Sequence, residues 1–106
     1  MADEVPTFTV DITPILAARL RAWGRQMSAA GRLPEFVAAV EEMNERLKTS
    51  PHVWGDPLKD YNTLRASEMR GLIPGWFMVW YGVATEARYV RVRDIQPAPG
   101  SPLSPA

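Results

Sequence analysis

The residues best equipped for chemistry in this chain of 106 gather near its end: Trp76, Trp80, Tyr89, Arg91 and Arg93, with Arg65 a little before them. Aromatic rings of this kind stack on nucleic-acid bases. Guanidinium groups hold phosphates, and an arginine over a tryptophan gains cation–π energy. Gly75 to Val83 and Arg88 to Ile95 both read as strands, and Ala84 to Ala87 is short enough to join them as a hairpin. Side chains alternate between faces along a strand, so Phe77, Val79, Tyr81 and Val83 share one face, while Trp76, Met78 and Trp80 share the other. In the second strand Val90 and Val92 share a face, opposite Tyr89, Arg91 and Arg93. With the valines of both strands turned to the core, the outer face carries tryptophans beside arginines. Three readings of that face stand together: a platform for RNA, an arginine cover that keeps an apolar sheet face soluble, and a surface buried by a partner helix or a second copy of the chain.

Other constellations are weaker. His52 is the only histidine, and Ser50 and Asp56 are near it in sequence, but loop residues so close together seldom form a triad; the plainer reading is a solvated loop residue. Glu41, Glu42 and Glu45 invite a metal reading, yet only Glu41 and Glu45 share a helix face, and no histidine joins them there. A solvated helix face, with no metal and no cofactor, is expected. Catalytic residues are not identified, and no glycine-rich phosphate loop or dinucleotide fingerprint occurs.

Composition narrows the function classes. Twelve basic and twelve acidic side chains cancel, so no global field draws the protein onto nucleic acid or membranes, and any basic character is local. There is no cysteine, which removes disulfides, thiolate zinc sites and cysteine nucleophiles. The start, Met1-Ala2-Asp3-Glu4, is acidic and leads into no apolar run, and no stretch reaches membrane-spanning length. A cytoplasmic protein with no membrane contact is expected.

The elements that must position the hairpin follow from periodicity. Thr7 to Ile12 alternates and reads as a first strand. Thr13-Pro14 starts a helix with Leu16, Leu20, Trp23 and Met27 in one stripe, and Gly31 ends it. A second helix from Pro34-Glu35 repeats the spacing with Phe36, Val40, Met43 and Leu47, and Pro51 ends it. The two form an antiparallel helical hairpin. Pro51 to Asn62 reads as a loop, Asn62 to Met69 as a weaker strand with Leu64 and Ala66 inward, and Arg70 to Gly75 as a connection. Trp23 and Trp54 read as structural, the second folding the loop over the core edge. The expected fold class is α+β in the order β-α-α-β-β-β, the helical hairpin packed on one face of a small, mainly antiparallel sheet. Residues 1–5 are expected to be a flexible start, 6–96 the domain, and 97–106 a tail rich in proline and serine that adds no strand or helix, so that ending the chain at Gln96 should leave stability almost unchanged.

The order of elements resembles the RelE/ParE toxin superfamily of bacterial toxin–antitoxin systems. The marks are Phe36 and Leu47, Ser50-Pro51, Gly55-Asp56-Pro57-Leu58, Leu64-Arg65, and the hairpin through Val79-Trp80-Tyr81-Gly82-Val83. The resemblance implies a cytosolic toxin neutralised by a cognate antitoxin, acting on ribosome-bound message as RelE-like members do or on gyrase as ParE-like members do. The alternative is a non-catalytic interaction module on the same scaffold. RelE-like ribonucleases carry an arginine about three residues before the tyrosine that Tyr81 resembles, where this chain has Met78. Gln96 and Pro97 stand where a basic residue and a tyrosine follow the last strand. Endoribonuclease activity is accordingly expected to be weak or absent.

Overall fold

Thr13 and Pro14 begin the first helix as their chemistry dictates. The Thr13 hydroxyl accepts from the Leu16 amide at 3.3 Å, and Pro14 occupies the first turn, where its missing amide proton costs nothing. The computed structural model describes residues 7–61, 66–84 and 86–103. Among them the elements are β1 (Thr9–Ile12), α1 (Pro14–Ala29), α2 (Leu33–Thr49), a one-turn α3 (Pro51–Trp54), β2 (Asp56–Tyr61), β3 (Ala66–Ile73), β4 (Phe77–Ala84) and β5 (Tyr89–Pro97). The turn between the long helices uses Gly31 at φ 73°, a conformation that glycine adopts without a Cβ clash.

The chain is α+β, with helices packed against one five-stranded mixed sheet of order β1-β5-β4-β3-β2. β1 runs parallel to β5, and the other neighbours are antiparallel. The alternation in β4 and β5 holds: Phe77, Val79, Tyr81, Val83, Val90 and Val92 are all buried. Leu16, Phe36 and Leu47 are buried with them, while Leu20 and Val40 pack at the margin of the same cluster. Trp23 stacks on Phe77 at a centroid distance of 6.4 Å, joining α1 to the centre of the sheet.

Three expectations need correction. The stretch after Pro51 is not a loop. Val53 and Trp54 donate to the Ser50 carbonyl to close α3, and the chain then pairs with β3 as an edge strand. Pro57 hid this strand from the sequence, but a proline is tolerated at a sheet edge, and the register shifts between Pro57 and Lys59. Secondly, β3 reaches Ile73 rather than stopping at Met69, so Arg70 to Ile73 is strand; Met69 and Ile73 are its buried residues. Leu64 and Arg65 lie outside the described residues.

The third correction concerns the tail. Pro97 is the last residue of β5, Ala98 donates to the Trp76 carbonyl at 3.1 Å, and Leu103 is 4% exposed within the core cluster. Proline prevents a ladder but not the packing of an apolar side chain. Leu103→Ala should therefore lower stability by about 2 kcal/mol, and a chain ending at Gln96 should melt at a clearly lower temperature. Thermal unfolding followed by circular dichroism checks this; an unchanged midpoint in both variants would contradict the packing.

Candidate partner-binding face of the sheet

Both long helices cover the same side of the sheet, so the opposite side is open and its composition decides what it can do. Pairing fixes the neighbours on it. Leu72, Met78 and Gln96 form one row across β3, β4 and β5, and Arg70, Trp80 and Asp94 form the next. Glu68, Gly82, Arg91 and Asp11 form the row after that, reaching β1. β5 holds one extra residue opposite Trp80 and Tyr81, and this bulge places Arg93 beside Asp94.

The arginines expected to hold phosphate are largely occupied. Arg91 Nε is 3.5 Å from Asp11 Oδ2, and the Tyr89 hydroxyl donates to that same oxygen at 2.7 Å. The contact with Tyr89, then the nearby Asp11 charge, push the Arg91 pKa up. Arg93 Nε is 3.8 Å from Glu68 Oε1 on the far side of β4, and Gly82 between them has no side chain in the way. From α1, Arg19 reaches the part of β5 beyond β1: its Nη1 donates to Asp94 Oδ1 at 3.0 Å and to the Ile95 carbonyl at 2.8 Å. The face is thus a lattice of opposite charges rather than a basic platform.

The sequence-predicted site residues are only partly brought together. Trp80, Tyr89, Arg91 and Arg93 share the open face. Trp76 does not. It precedes β4 in the turn that its amide closes onto the Ile73 carbonyl, and its ring packs against Phe36 of α2 at 5.9 Å with the Arg32 guanidinium 5.1 Å from its centroid. Strand alternation does not extend into a turn, and the α2 side supplied the apolar partner. Arg65 lies outside the described residues.

Sequence reasoning missed Arg70 and Leu72, which join Trp80 and Met78 on the open face. The signal was present in the alternation of Met69, Gly71 and Ile73 against Arg70 and Leu72. Arg70 is exposed and has no ion-pair partner among the described residues. It also lines a cleft of about 540 Å³ with Leu72 and Met78, bounded by Trp54 of α3 and by Glu42 and Arg46 of α2. The cleft opens where β2 begins at Asp56, opposite Arg70, so β3 continues past its neighbour there as an edge.

Among the described residues, the acid and base that hydrogen-bond on this face are Tyr89 and Asp11, and the carboxylate of that pair is shared with Arg91. Tyr81 points to the helices and is fully buried; its hydroxyl donates to the Pro51 carbonyl at 2.6 Å and accepts from the Gly55 amide at 3.1 Å. Burial is the main reason its pKa is pushed up to about 12, with the Gly55 amide opposing and the Asp56 charge adding. His52 is in α3, with its ring edge against Phe8 at 5.5 Å. Among the described residues, no group of three metal-ligating side chains gathers, and no helix is long and apolar enough to cross a membrane.

Asp94 carries a pH signature. The Gln96 amide donating to it, chiefly, and the Arg19 and Ile95 donors hold it below the usual carboxylate range despite partial burial. A depressed folded pKa means its stabilisation is complete above the unfolded value, about 4, and is lost as pH falls through the lower folded value. Asp94→Asn should therefore flatten the acid limb of stability, measured by urea unfolding at stepped pH; a variant with the wild-type acid limb would contradict this assignment. Compared with known proteins, the chain matches no family model, no curated protein and no solved structure.

Proposed function

We propose that this chain is a RelE/ParE-like toxin that acts by engaging a macromolecular target through its open sheet face, without cutting RNA. The element order and the residues that resemble that superfamily support the class. One observation carries the mode of action: the tyrosine at the family-like position is walled into the core, while Arg91 and Arg93 are committed to acidic partners. Phosphodiester cleavage needs a base and an acid within reach of the reacting hydroxyl. Arginine stays protonated at any ordinary pH, and a tyrosine held near 12 does not ionise.

What the open face retains is suited to contact. Trp80 is half-buried between Arg70 and Asp94, and Arg70 is the arginine here with its charge uncommitted among the described residues. Exposed Leu72 and half-buried Met78 add apolar area beside it. A centre of aromatic and apolar groups with a polar rim is the usual anatomy of a protein interface. A translation or gyrase target and a neutralising antitoxin are the partners of this reading. If the toxic effect is absent, the scaffold is an interaction module.

Induced expression in bacteria, with growth and transcript integrity followed together, separates these cases. The expected result is slowed growth with full-length transcripts, relieved about tenfold or more in plating efficiency by Arg70→Ala/Trp80→Ala. Codon-specific transcript fragments would contradict the binding mode. Unimpaired growth at high expression would remove the toxin and leave the module.

A further inference from the structure

The edge of β3 beyond β2 offers main-chain groups as well as side chains. β2 begins at Asp56, opposite Arg70, so Gly71 to Ile73 have β4 on one side and no strand on the other. Two contacts show which of these residues faces the open edge. A Cβ on Gly55 would lie 2.7 Å from the Arg70 carbonyl oxygen, so Arg70 directs its main-chain groups toward β2. The Ile73 carbonyl accepts from the Trp76 amide in the turn into β4, so Ile73 directs its groups the other way. Main-chain direction alternates along a strand, and Leu72 therefore turns its N–H and C=O to the edge. β2 supplies neither of them with a partner. The Leu72 side chain, on the open face, is 48% exposed.

The cleft of about 540 Å³ lies along this edge, within the roughly 300–1,000 Å³ of ligand sites. Trp54 and exposed Val53 wall its helix side, and Leu72 and Met78 its open-face side. Four charged side chains line it. Glu42 and Arg46 pair at 3.9 Å across one turn of α2. Arg70 and Asp56 stand at the closed end, both exposed and in no ion pair among the described residues. The shape selects the occupant. A free strand edge recognises another main chain. Because the edge closes at Asp56, the incoming chain has to end there rather than run on. A second copy, pairing by two-fold symmetry about Leu72, would bring the partner subunit's Pro74 opposite Arg70, a place that Asp56 already fills. In the antiparallel sense a single residue receives both Leu72 bonds. That sense runs from Pro74 toward Arg70, so the end that arrives is a C-terminus.

We propose that this cleft takes the C-terminal end of an extended peptide, which adds to β3 as a short antiparallel strand and sets its terminal carboxylate between the Leu72 amide and the Arg70 guanidinium. The last residue of the peptide donates its N–H to the Leu72 carbonyl, and its carboxylate accepts from the Leu72 N–H. Arg70, two residues before Leu72 on the same face, supplies the charge, in a hydrogen bond stronger than a neutral one. The last side chain lies on the open face beside Leu72 and Met78 and is apolar; the one before it turns to the helix side, toward Trp54. Asp56 is the opposing charge at this end and limits the affinity. The inference rests on the reading of the open face as a contact surface, and it narrows the partner to a protein with an exposed C-terminal tail.

Affinity selection on the immobilised full chain tests it, with a library of acetylated peptides of about six residues made once with a free C-terminal carboxylate and once amidated. The expected result is enrichment of acid-terminated peptides with an apolar last residue, the amide of the best one binding about tenfold more weakly. Arg70→Ala should weaken that peptide about tenfold, whereas Asp56→Asn should tighten it by removing a like charge. The bound peptide should also slow exchange of the Leu72 amide. Equal selection of acids and amides would overturn the proposal, as would Leu72 exchange that the peptide leaves unchanged. So would binding weakened by Asp56→Asn, which marks an amine at the closed end. Selection of no peptide, with growth still slowed and relieved by Arg70→Ala/Trp80→Ala, strikes the peptide site and leaves the open-face reading. Selection of acid-terminated peptides with unimpaired growth keeps this site on an interaction module.

Discussion

The hydroxyl of Tyr81 sets the orientation of the sheet. A buried phenol without partners would be costly, and here it is satisfied twice, by the Pro51 carbonyl and the Gly55 amide at the two ends of α3. The ring is stacked under Trp54 at 5.5 Å and 16°, and Trp54 in turn lies flat over Gly71, where a Cβ would come within 2.7 Å of the indole. One side chain of the central strand thus ties α3 to β4 and holds the indole against β3. With Tyr81 facing inward, period-two alternation sends Met78 and Trp80 outward, and the rest of the open face follows from the register.

That orientation also shapes what the protein can do. The face left open is crossed by ion pairs from β1 to β5 and from β5 to β3, and α1 holds the free part of β5 through Arg19. Such exposed pairs add little stability, about 0–1 kcal/mol each. Their main effect is to commit charge that a phosphate would otherwise find. Together with a phenol removed from solvent, they favour recognition over bond-breaking, with Arg70, Leu72 and Trp80 as the part of the face still able to take a partner.

Much of the architecture was legible because it is local. The stripes of α1 and α2, the Thr13-Pro14 start, and the alternation of β4 and β5 are each written within one segment. What was not legible depends on residues far apart in sequence. β2 is a strand because β3 offers it an edge, despite Pro57. Trp76 left the predicted face because Phe36 and Arg32, some forty residues earlier, receive its ring. Leu103 joins the core although its proline-rich neighbourhood forbids regular structure. Asp11 and Glu68 neutralise Arg91 and Arg93 only once the sheet is assembled, so the charge lattice was invisible to composition.

The state of Tyr81 is the most direct point of attack, since both the inward register and the loss of cleavage chemistry rest on it. Carbon NMR of the chain labelled at the tyrosine Cζ follows each phenol through its titration, with Tyr81→Phe assigning the signal. The account predicts that the Tyr81 resonance titrates only near pH 12, or not before the protein unfolds, with the Gly55 amide protected from exchange. A Tyr81 phenol that ionises reversibly near 10 in the folded protein, with Gly55 exchanging freely, would contradict it.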